Sequence, residues 1–461
     1  MKTQPRYLSL LLALVIPILW LCLGRTPANG HRDDAALSQK VDAYLRPYLD
    51  LNGFSGSILI AKGGRILLSK GYGLANYEWN VPNTPQTKFH LGSVSKTFTA
   101  AAIMILQEQG KLNVHDPLSK FIPDYPNGDR IKLHHLLTNT SGIPNVNNFA
   151  EYNNLSKFPH TPTDLIPLFK NKPLDFEPGT RPYTESNSNY NLLAFIIEKL
   201  SGQTYGEFLK QNLFDPLALN DTRHDGDANA IISNKASGYL PAGLTGVENA
   251  PYLDWSTKTG NGSIYSTVED LFRWDRALYT EKVLKRSSLQ QMFSEQYGWF
   301  SGKRLNRNAV RMNGRSPGFN SDFQRYTDDD VCIIVLGNNY TPTATAIGAD
   351  LAKMVFGEKY DPPKLVKPPH IDEKILDSYV GHYRFGSDFF VPNGSYEIRR
   401  EKDQLLIRSP GANATLVPQS DTEFFDRPFW SMIIFGTDSQ GKVTHLVWRY
   451  GEQDYRADKL P

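Results

Sequence analysis

The chain has 461 residues, of which 40% are hydrophobic, and its 50 lysines and arginines nearly balance its 48 acidic residues. A chain of this length can form two or three domains, each with a core of its own. The balanced charge and the lack of a long basic run exclude nucleic acid as an expected partner.

The N-terminal segment predicts an export signal. Lys2 and Arg6 precede an apolar run at residues 8–24, which small residues follow at 26–30. This order is typical of a signal peptide with its cleavage region, although an apolar run of this length can also remain as a membrane anchor. We expect residues 1–30 to be a signal peptide and the protein to be periplasmic or secreted.

The next part of the chain, residues 31–357, has strand patterns at both ends. Residues 57–69 form two apolar runs around Gly63-Gly64, and a second pair lies at 322–326 and 331–336. Between the two pairs, helix patterns lie at 93–110, 189–201, 205–213 and 267–279. One more helix pattern, at 342–356, follows the second pair. This arrangement predicts one antiparallel sheet assembled from both ends, beside an all-helical region. The single cysteine of this part, Cys332, is expected to be a buried apolar residue.

A Ser-x-x-Lys motif, Ser93 to Lys96, stands where the first predicted long helix begins. If Ser93 opens that helix, Lys96 lies one turn further on the same face, within hydrogen-bond reach of the hydroxyl. An amine with a lowered pKa can take the serine proton, and the helix N-terminus offers backbone N–H groups to a developing oxyanion. The alternative is a serine that caps the helix and a lysine in water. A second copy, Ser439 to Lys442, is predicted to be a hairpin turn.

The surroundings of this motif resemble the serine β-lactamase-related family. The segments that carry the resemblance are Phe89–Ala100, Leu136–Pro144 and Gly262–Leu271, which occur in the order and spacing of that family. The resemblance covers residues 36–356, and the family includes class C β-lactamases, D,D-carboxypeptidases, D-aminopeptidases and family VIII-type esterases. It implies an α+β, β-lactamase/transpeptidase-like fold with an active site between sheet and helices.

The same resemblance implies a serine hydrolase that forms an acyl-enzyme on Ser93 and uses no cofactor. The expected substrate is a small-molecule ester, a lactam or a D-amino-acid peptide. Metal chemistry finds little support in the sequence, because His134 and His135 lack further ligands at metal-binding spacing. The competing interpretation is a catalytically weakened member that binds peptide or cell-wall fragments.

The family's second motif, Tyr-x-Asn, is altered in this chain. Counting back from Tyr190 aligns Glu185 with the tyrosine and Asn187 with the asparagine, whereas counting forward from Pro178 ends between Tyr183 and Glu185. The first register predicts that Glu185 relays protons and that Asn187 binds substrate and lysine. Tyr183 remains the alternative relay, and a carboxylate beside a lysine can also form an inert ion pair. The stretch can also be a turn in which Asn187 caps the next helix.

The family's third motif, Lys-Thr-Gly or His-x-Gly, aligns with Met312-Asn313-Gly314. Met312 carries no charge and cannot donate a strong hydrogen bond. Gly314 leaves room for substrate, and the N–H of Arg315 matches the second oxyanion donor. We therefore expect a preference for neutral esters over carboxylate-bearing β-lactams. Arg311 and Arg315 are either substitute anion anchors or surface arginines on an edge strand.

Gly314 to Gly318 also spells Gly-x-Ser-x-Gly, the nucleophile motif of α/β-hydrolases. In that fold the residue after the serine supplies an oxyanion N–H, and Pro317 has none. The sequence therefore argues against Ser316 as the nucleophile.

The last part of the chain predicts a separate domain. Residues 358–371 contain Pro362, Pro363, Pro368 and Pro369, which indicates a stiff linker. Residues 372–461 then carry short alternating runs at 379–385, 395–400, 404–408, 415–418, 430–435 and 443–450. We expect a small all-β domain, a barrel or half-barrel that resembles the lipocalin-like appendages of some family members.

Overall fold

The structure is a computed structural model that describes residues 28–360, 368–389, 393–409, 412–450 and 453–461. The predicted signal peptide lies outside these ranges except for its last three residues, which begin the first helix. Residues 361–367 of the predicted linker also lie outside them. Within the described ranges no helix is long and apolar enough to cross a membrane.

The helices are numbered in chain order. They are α1 Ala28–Asp50, α2 Ser95–Glu108, α3 Leu133–Leu137, α4 Tyr152–Leu155, α5 Pro162–Lys170, α6 Asn187–Ser201, α7 Tyr205–Leu209, α8 Val268–Ala277, α9 Arg286–Ser294, α10 Thr343–Phe356 and α11 Glu373–Tyr379. Two 3-10 turns matter for the site, Gly92–Val94 and Trp255–Lys258.

The strands are numbered in the same way. Those of the first part are β1 Gly56–Lys62, β2 Arg65–Tyr72, β3 Leu74–Asn76, β4 Val81–Pro82, β5 Phe89–His90, β6 Arg223–His224, β7 Tyr239–Ala242, β8 Gly246–Asn249, β9 Ile264–Ser266, β10 Phe300–Arg304, β11 Arg307–Ser316, β12 Phe319–Tyr326 and β13 Val331–Gly337. Those of the last part are β14 Gly381–Phe385, β15 Ser395–Glu401, β16 Gln404–Ser409, β17 Ala412–Pro418, β18 Glu423–Asp426, β19 Ser431–Thr437, β20 Val443–Tyr450 and β21 Gln453–Lys459.

The main sheet is antiparallel, with the strand order β10-β11-β12-β13-β1-β2. Strand β1 pairs with β13 from Gly56 opposite Gly337 to Lys62 opposite Val331. The hairpins from the two ends of this part therefore meet in the middle of one sheet. This confirms the fold predicted from the sequence.

Both faces of the sheet are covered, as strand β13 shows. Cys332, Ile334 and Leu336 pack into the core that contains α2 and α6. The alternate residues of the strand pack into a second core beneath α1 and α10. Since successive side chains of a strand point to opposite faces, a continuously apolar strand is what burial on both faces requires. Cys332 is fully buried, as expected.

The last part is a closed barrel of strands β14 to β21. Closure decides against the half-barrel, and it uses two strands that the sequence analysis did not predict, β18 and β21. The short helix α11, also not predicted, precedes the barrel. The interior is rich in aromatic side chains, among them Tyr383, Phe435 and Trp448.

Arg427, in the loop between β18 and β19, joins the barrel to the first part of the chain. Its guanidinium is buried and donates hydrogen bonds to the carbonyl oxygens of Leu51, Ala242, Gly243 and Gly246 at 2.6 to 3.1 Å. Burial lowers the pKa of Arg427 to about 10, so it still carries its charge at neutral pH. The carbonyl oxygens solvate this charge, because no carboxylate of the described residues forms an ion pair with it.

Trp430 reinforces the same contact. Its ring stacks on Tyr48 of α1 with centroids 4.7 Å apart, and it covers Gly53 so closely that a Cβ there would overlap it. The barrel is therefore docked on α1 and on the β7–β8 hairpin.

Candidate active site

Ser93 lies in the 3-10 turn Gly92–Val94, which leads directly into α2. The regular helix begins at Ser95, two residues later than the motif suggested, because Ser93 and Val94 belong to the 3-10 turn. Gly92, which opens the turn, has a left-handed φ of +53°. The hydrogen bond expected between the two motif residues is nevertheless present. Lys96 Nζ donates a hydrogen bond to Ser93 Oγ at 3.0 Å. Ser93 makes no capping hydrogen bond through its side chain, so it is not the helix cap.

Lys96 is only 1% exposed. Burial lowers its pKa, and the charge of Lys258 acts in the same direction, whereas Glu185 opposes both. The ammonium also lies 5.5 Å from the centroid of the Tyr190 ring. A buried lysine with a lowered pKa is suited to accept the proton of a serine.

Glu185, two residues before α6 begins, is the acidic partner of Lys96. Lys96 Nζ donates to Glu185 Oε1 at 3.1 Å, and the ammonium lowers the pKa of this half-exposed carboxyl. Tyr183 forms no hydrogen bond to Ser93 or Lys96; its ring packs edge-on against Phe300, with centroids 5.1 Å apart. The contacts of Glu185 thus favour the register that is counted back from Tyr190, in which Glu185 aligns with the family's tyrosine.

Asn187 is the first residue of α6 and is buried. Its backbone N–H donates to Asn145 Oδ1 at 3.2 Å. Within the described residues its side chain forms no hydrogen bond with Lys96, unlike the expectation from the family motif. It is not the N-cap of α6 either, since that position belongs to Ser186. A contact of Asn187 with substrate stays a prediction.

Gly314 brings strand β11 against the nucleophile turn. A Cβ at Gly314 would overlap the carbonyl oxygen of Leu91 and lie 2.7 Å from the backbone nitrogen of Ser93. A Cβ at Gly92 would lie 2.9 Å from the backbone nitrogen of Arg315. The two backbone segments can approach this closely only because both positions are glycine. The missing side chain at Gly314 therefore makes room for the nucleophile turn, and not for substrate as the sequence analysis expects. The role of the Ser93 and Arg315 N–H groups as oxyanion donors stays a prediction.

Strand β11 is an edge strand only in its second half. Strand β10 pairs with it no further than Phe300 opposite Arg311. Beyond that pair, residues 312–316 face β12 on one side, and no strand of the described residues pairs with them on the other. This edge starts at Met312, which lines the same cavity as Lys96, and an extended substrate can approach the backbone there.

The polar candidates on β11 do not share a face with Met312. Met312 is 4% exposed and packs with the helical core. Asn313 lies opposite Asp322 of β12, and Arg311 opposite Gln324, on the alternate face. On that face the guanidinium of Arg315 packs on the ring of Tyr340 at 4.3 Å.

Arg315 is a partly buried arginine that packs against aromatic rings. Its Nε atom is buried, and the aromatic rings of Tyr340 and of Phe429 from the barrel lie 4.3 and 6.0 Å from the guanidinium. Neither the Arg311 nor the Arg315 guanidinium replaces the cation that the family's lysine or histidine supplies at the position of Met312.

A cavity of about 380 Å³ opens beside Lys96. It is lined by Lys96, His134, Leu137, Thr138, Asn139, Thr140, Pro182, Tyr183, Tyr190, Ser294, Glu295, Gln296, Gly298, Trp299, Phe300 and Met312. The wall formed by Met312, Trp299 and Phe300 is apolar, so the cavity suits a small group without negative charge.

Lys258 was not recognised in the sequence. It ends the 3-10 turn Trp255–Lys258 and is 6% exposed, and its charge acts on both Lys96 and Glu185. The sequence signal is faint, because Lys258 lies just outside the Gly262–Leu271 segment and a single lysine before it matches no motif.

The two rejected serines have the environments predicted for them. Ser316 is buried at the end of β11, with no helix after it. Ser439 and Lys442 lie in the turn between β19 and β20, where Asp438 accepts the backbone N–H of Lys442 at 2.9 Å.

Comparison with known proteins identifies the family of the chain. A family model described as Beta-lactamase matches residues 41–353. The chain is 29% identical over 430 residues to penicillin-binding protein 4* of Bacillus subtilis, and the alignment covers 87% of this chain and 94% of the relative. It is 27% identical over 316 residues to the teichoic acid D-alanine hydrolase of Staphylococcus aureus, and that alignment covers 65% of this chain and 74% of the relative.

The fold is also that of a solved structure, the octameric penicillin-binding protein homologue from Pyrococcus abyssi. The two match with a TM-score of 0.61 and 23% identity over 92% of this chain and all of the other. The family model covers well over half of the sequence and includes the Ser93, Glu185 and Gly314 segments. The chain therefore belongs to the beta-lactamase family of serine hydrolases, which is related to the penicillin-binding proteins.

Proposed function

We propose that this protein is an exported serine hydrolase that cleaves an ester or amide bond through an acyl-enzyme on Ser93. The observation that carries the proposal is the connected pair of hydrogen bonds from Lys96 to Ser93 and to Glu185. The backbone of Ser93 and Arg315 also comes close together at the glycines of this turn and strand. These contacts support the roles of nucleophile, base, relay and oxyanion donors that the proposal assigns.

In the proposed reaction, neutral Lys96 takes the proton from Ser93 Oγ as the oxygen attacks the carbonyl carbon. The backbone N–H groups of Ser93 and Arg315 stabilise the resulting oxyanion. The proton passes through Lys96 and Glu185 to the leaving alcohol or amine as its bond to carbon breaks. Water then attacks the carbonyl carbon of the ester on Ser93 and gives up a proton to the same groups. The bond between that carbon and Ser93 Oγ breaks, Oγ takes the proton, and the acid is released.

The cavity beside Lys96 favours a small substrate group without negative charge. Met312 supplies no cation for a carboxylate at the position where the family's lysine or histidine stands, and the nearby wall is apolar. The relative from Staphylococcus aureus is named a teichoic acid D-alanine hydrolase. We therefore propose a small ester or a D-amino-acid derivative as the substrate, and we expect β-lactams with a carboxylate to react more slowly.

Export rests on the sequence of the N-terminal segment, a basic start followed by the apolar run 8–24. Retention of this run would anchor the enzyme at the membrane surface. N-terminal sequencing of the protein purified from the medium and from membranes separates cleavage from retention.

A second candidate function is binding without turnover. The ion pair between Lys96 and Glu185 favours it, because a stable pair keeps the proton on Lys96. Turnover of 4-nitrophenyl acetate distinguishes the two. We expect catalysis that Ser93→Ala abolishes and that Lys96→Ala lowers at least about a hundredfold. Equal rates for the unmodified protein and Ser93→Ala would leave binding as the function.

A further inference from the structure

The loop before α6, residues 180–186, carries Glu185 and has few ties to the rest of the chain. Residues 180–185 are exposed. Within the described residues, two hydrogen bonds join the backbone of this loop to a distant segment, and both end on Asn139. The Thr184 N–H donates to the carbonyl oxygen of Asn139 at 2.9 Å, and the Ser186 N–H donates to its side-chain Oδ1 at 3.2 Å. Glu185, which lies between the two, is therefore held from both sides by one residue.

Asn139 is itself fixed by its surroundings. It lies just beyond α3 with a left-handed φ of +55°, which asparagine adopts more readily than most residues, and it is only 2% exposed. Asn189 Nδ2 of α6 donates to the same Oδ1 at 2.9 Å, and Ser141 Oγ donates to Asn189 Oδ1 at 2.6 Å. Because a backbone N–H can only donate, the bond from Ser186 also decides which end of the Asn139 amide faces the loop.

The position of this loop matters for the contact between Glu185 and Lys96. The lysine is buried in α2 and its position follows from the core, whereas the half-exposed carboxylate belongs to a loop. Their 3.1 Å contact therefore depends on where the loop backbone lies. Proton transfer requires hydrogen-bond distance between the groups, and a displacement of about 1 Å can lower a rate about a hundredfold.

We propose that Asn139 is a positioning residue that holds Glu185 against Lys96. This inference rests on the proposed function, in which Glu185 passes protons between Lys96 and the leaving group. In the described part of the chain, Asn139 forms no hydrogen bond with the side chain of Lys96 or Glu185, so it acts through the loop backbone. Asn139 also lines the cavity beside Lys96, so an effect on kcat has to be distinguished from an effect on substrate binding.

Hydrogen exchange of the unmodified protein tests the two contacts without turnover. Among the described residues, the N–H groups of Tyr183 and Glu185 donate no hydrogen bond, unlike those of Thr184 and Ser186. After correction for intrinsic rates, we expect the amides of Thr184 and Ser186 to exchange at least about tenfold more slowly than these two neighbours. Mass spectrometry with electron-transfer fragmentation resolves the four positions. Equal exchange at all of them would contradict the inference.

Asn139→Gly removes the side-chain acceptor and keeps the backbone, because glycine adopts a left-handed φ without strain. Ser186 should then lose its protection from exchange, whereas Thr184, whose acceptor is the carbonyl oxygen, should keep it. We expect kcat for 4-nitrophenyl acetate to fall at least about tenfold, with KM changed less than about threefold. Asn139→Asp, which keeps an oxygen for both donors, should restore most of this loss.

A double-mutant cycle with Glu185 distinguishes positioning from a general structural role. If Asn139 acts through Glu185, Asn139→Gly should lower kcat less than about twofold in a Glu185→Gln background. An equal loss in both backgrounds would overturn the inference, because it is the mark of damage elsewhere in the site. A loss that appears only as a higher KM would also overturn it, because that would assign Asn139 to substrate binding.

Asn127→Gly is the matched control, since Asn127 also has a left-handed φ, of +58°, but lies at an exposed position in another loop. It should leave kcat unchanged. Circular dichroism and the melting temperature show whether each variant folds, and the exchange measurement on the unmodified protein decides the matter if Asn139→Gly does not fold. Protected amides at Thr184 and Ser186 in a protein that hydrolyses no ester would count against the proposed function alone.

Discussion

Lys96 and Glu185 form a direct ion pair, 3.1 Å long, across the gap between the start of α2 and the loop before α6. The lysine is buried and the carboxylate is half-exposed. One end of a proton path is therefore protected from water and fixed on Ser93, while the other end reaches the open site. This asymmetry suits a base that takes a proton from the nucleophile and delivers it to a departing group.

The relay assignment predicts a clear contrast between two substitutions. Glu185→Gln removes the carboxylate but keeps the size of the side chain, so turnover should fall at least about a hundredfold. Tyr183→Phe should change kcat/KM less than about threefold, because the Tyr183 ring packs on Phe300 and forms no hydrogen bond to Lys96. Steady-state kinetics with 4-nitrophenyl acetate checks both. The reverse pattern would assign the relay to Tyr183.

The close approach at Gly314 predicts that even one methyl group is not tolerated. Gly314→Ala places a Cβ into the Leu91 carbonyl oxygen and near the Ser93 nitrogen, so β11 must move away and the oxyanion donors separate. We expect a loss in kcat of about a hundredfold or more, the range for one lost oxyanion donor. Gly302→Ala on β10 is the matched control, because a Cβ there meets no atom within 4 Å. Equal activities of the two variants would show that Gly314 does not hold the site together.

The absence of a cation at Met312 predicts substrate preference. Met312→Lys should raise kcat/KM for a penicillin at least about tenfold, which corresponds to the lower part of the range for a charge-assisted hydrogen bond. Hydrolysis of 4-nitrophenyl acetate should hardly change, and Met312→Leu should leave both substrates unaffected. Comparable kcat/KM values for penicillin and ester in the unmodified protein would refute the preference.

The buried Arg427 predicts that the barrel and the first part of the chain unfold together. Arg427→Met removes the donor to four carbonyl oxygens, which then lose their partner away from water. We expect a stability loss of about 3 kcal/mol or more, the cost of breaking a buried charged network, seen as a lower melting temperature or as two separated transitions in calorimetry. Arg456→Met, at an exposed position of the barrel, is the control. Identical melting curves would show that the docking contact contributes nothing.

The sequence predicted those parts of the site that depend on local geometry. The hydrogen bond between Ser93 and Lys96 follows from their spacing of three residues. Local chain geometry brings side chains at this spacing to the same face of a helical turn. The assignment of Glu185 over Tyr183 needed the fold, because counts from the two ends of the loop before α6 disagree and only the contact with Lys96 separates them.

Other features depend on contacts between distant segments, and no local pattern reports them. The loop that carries Lys258 is held by α2 and α6, and the Arg315 guanidinium lies 6.0 Å from the ring of Phe429 in the barrel. Strand β21 was missed for a similar reason. Only Tyr455 and Ala457 of this strand are buried, and its other residues are mostly charged, so its alternation is too weak to recognise in isolation.

The most direct test of the central claim is mass spectrometry after exposure to a neutral fluorophosphonate. The account predicts a single adduct whose tryptic peptide carries the label on Ser93, and no adduct in Ser93→Ala, which should retain the fold because the Ser93 side chain caps no helix. A label on Ser316 or Ser439, or an unmodified protein under conditions that label a control serine hydrolase, would contradict it.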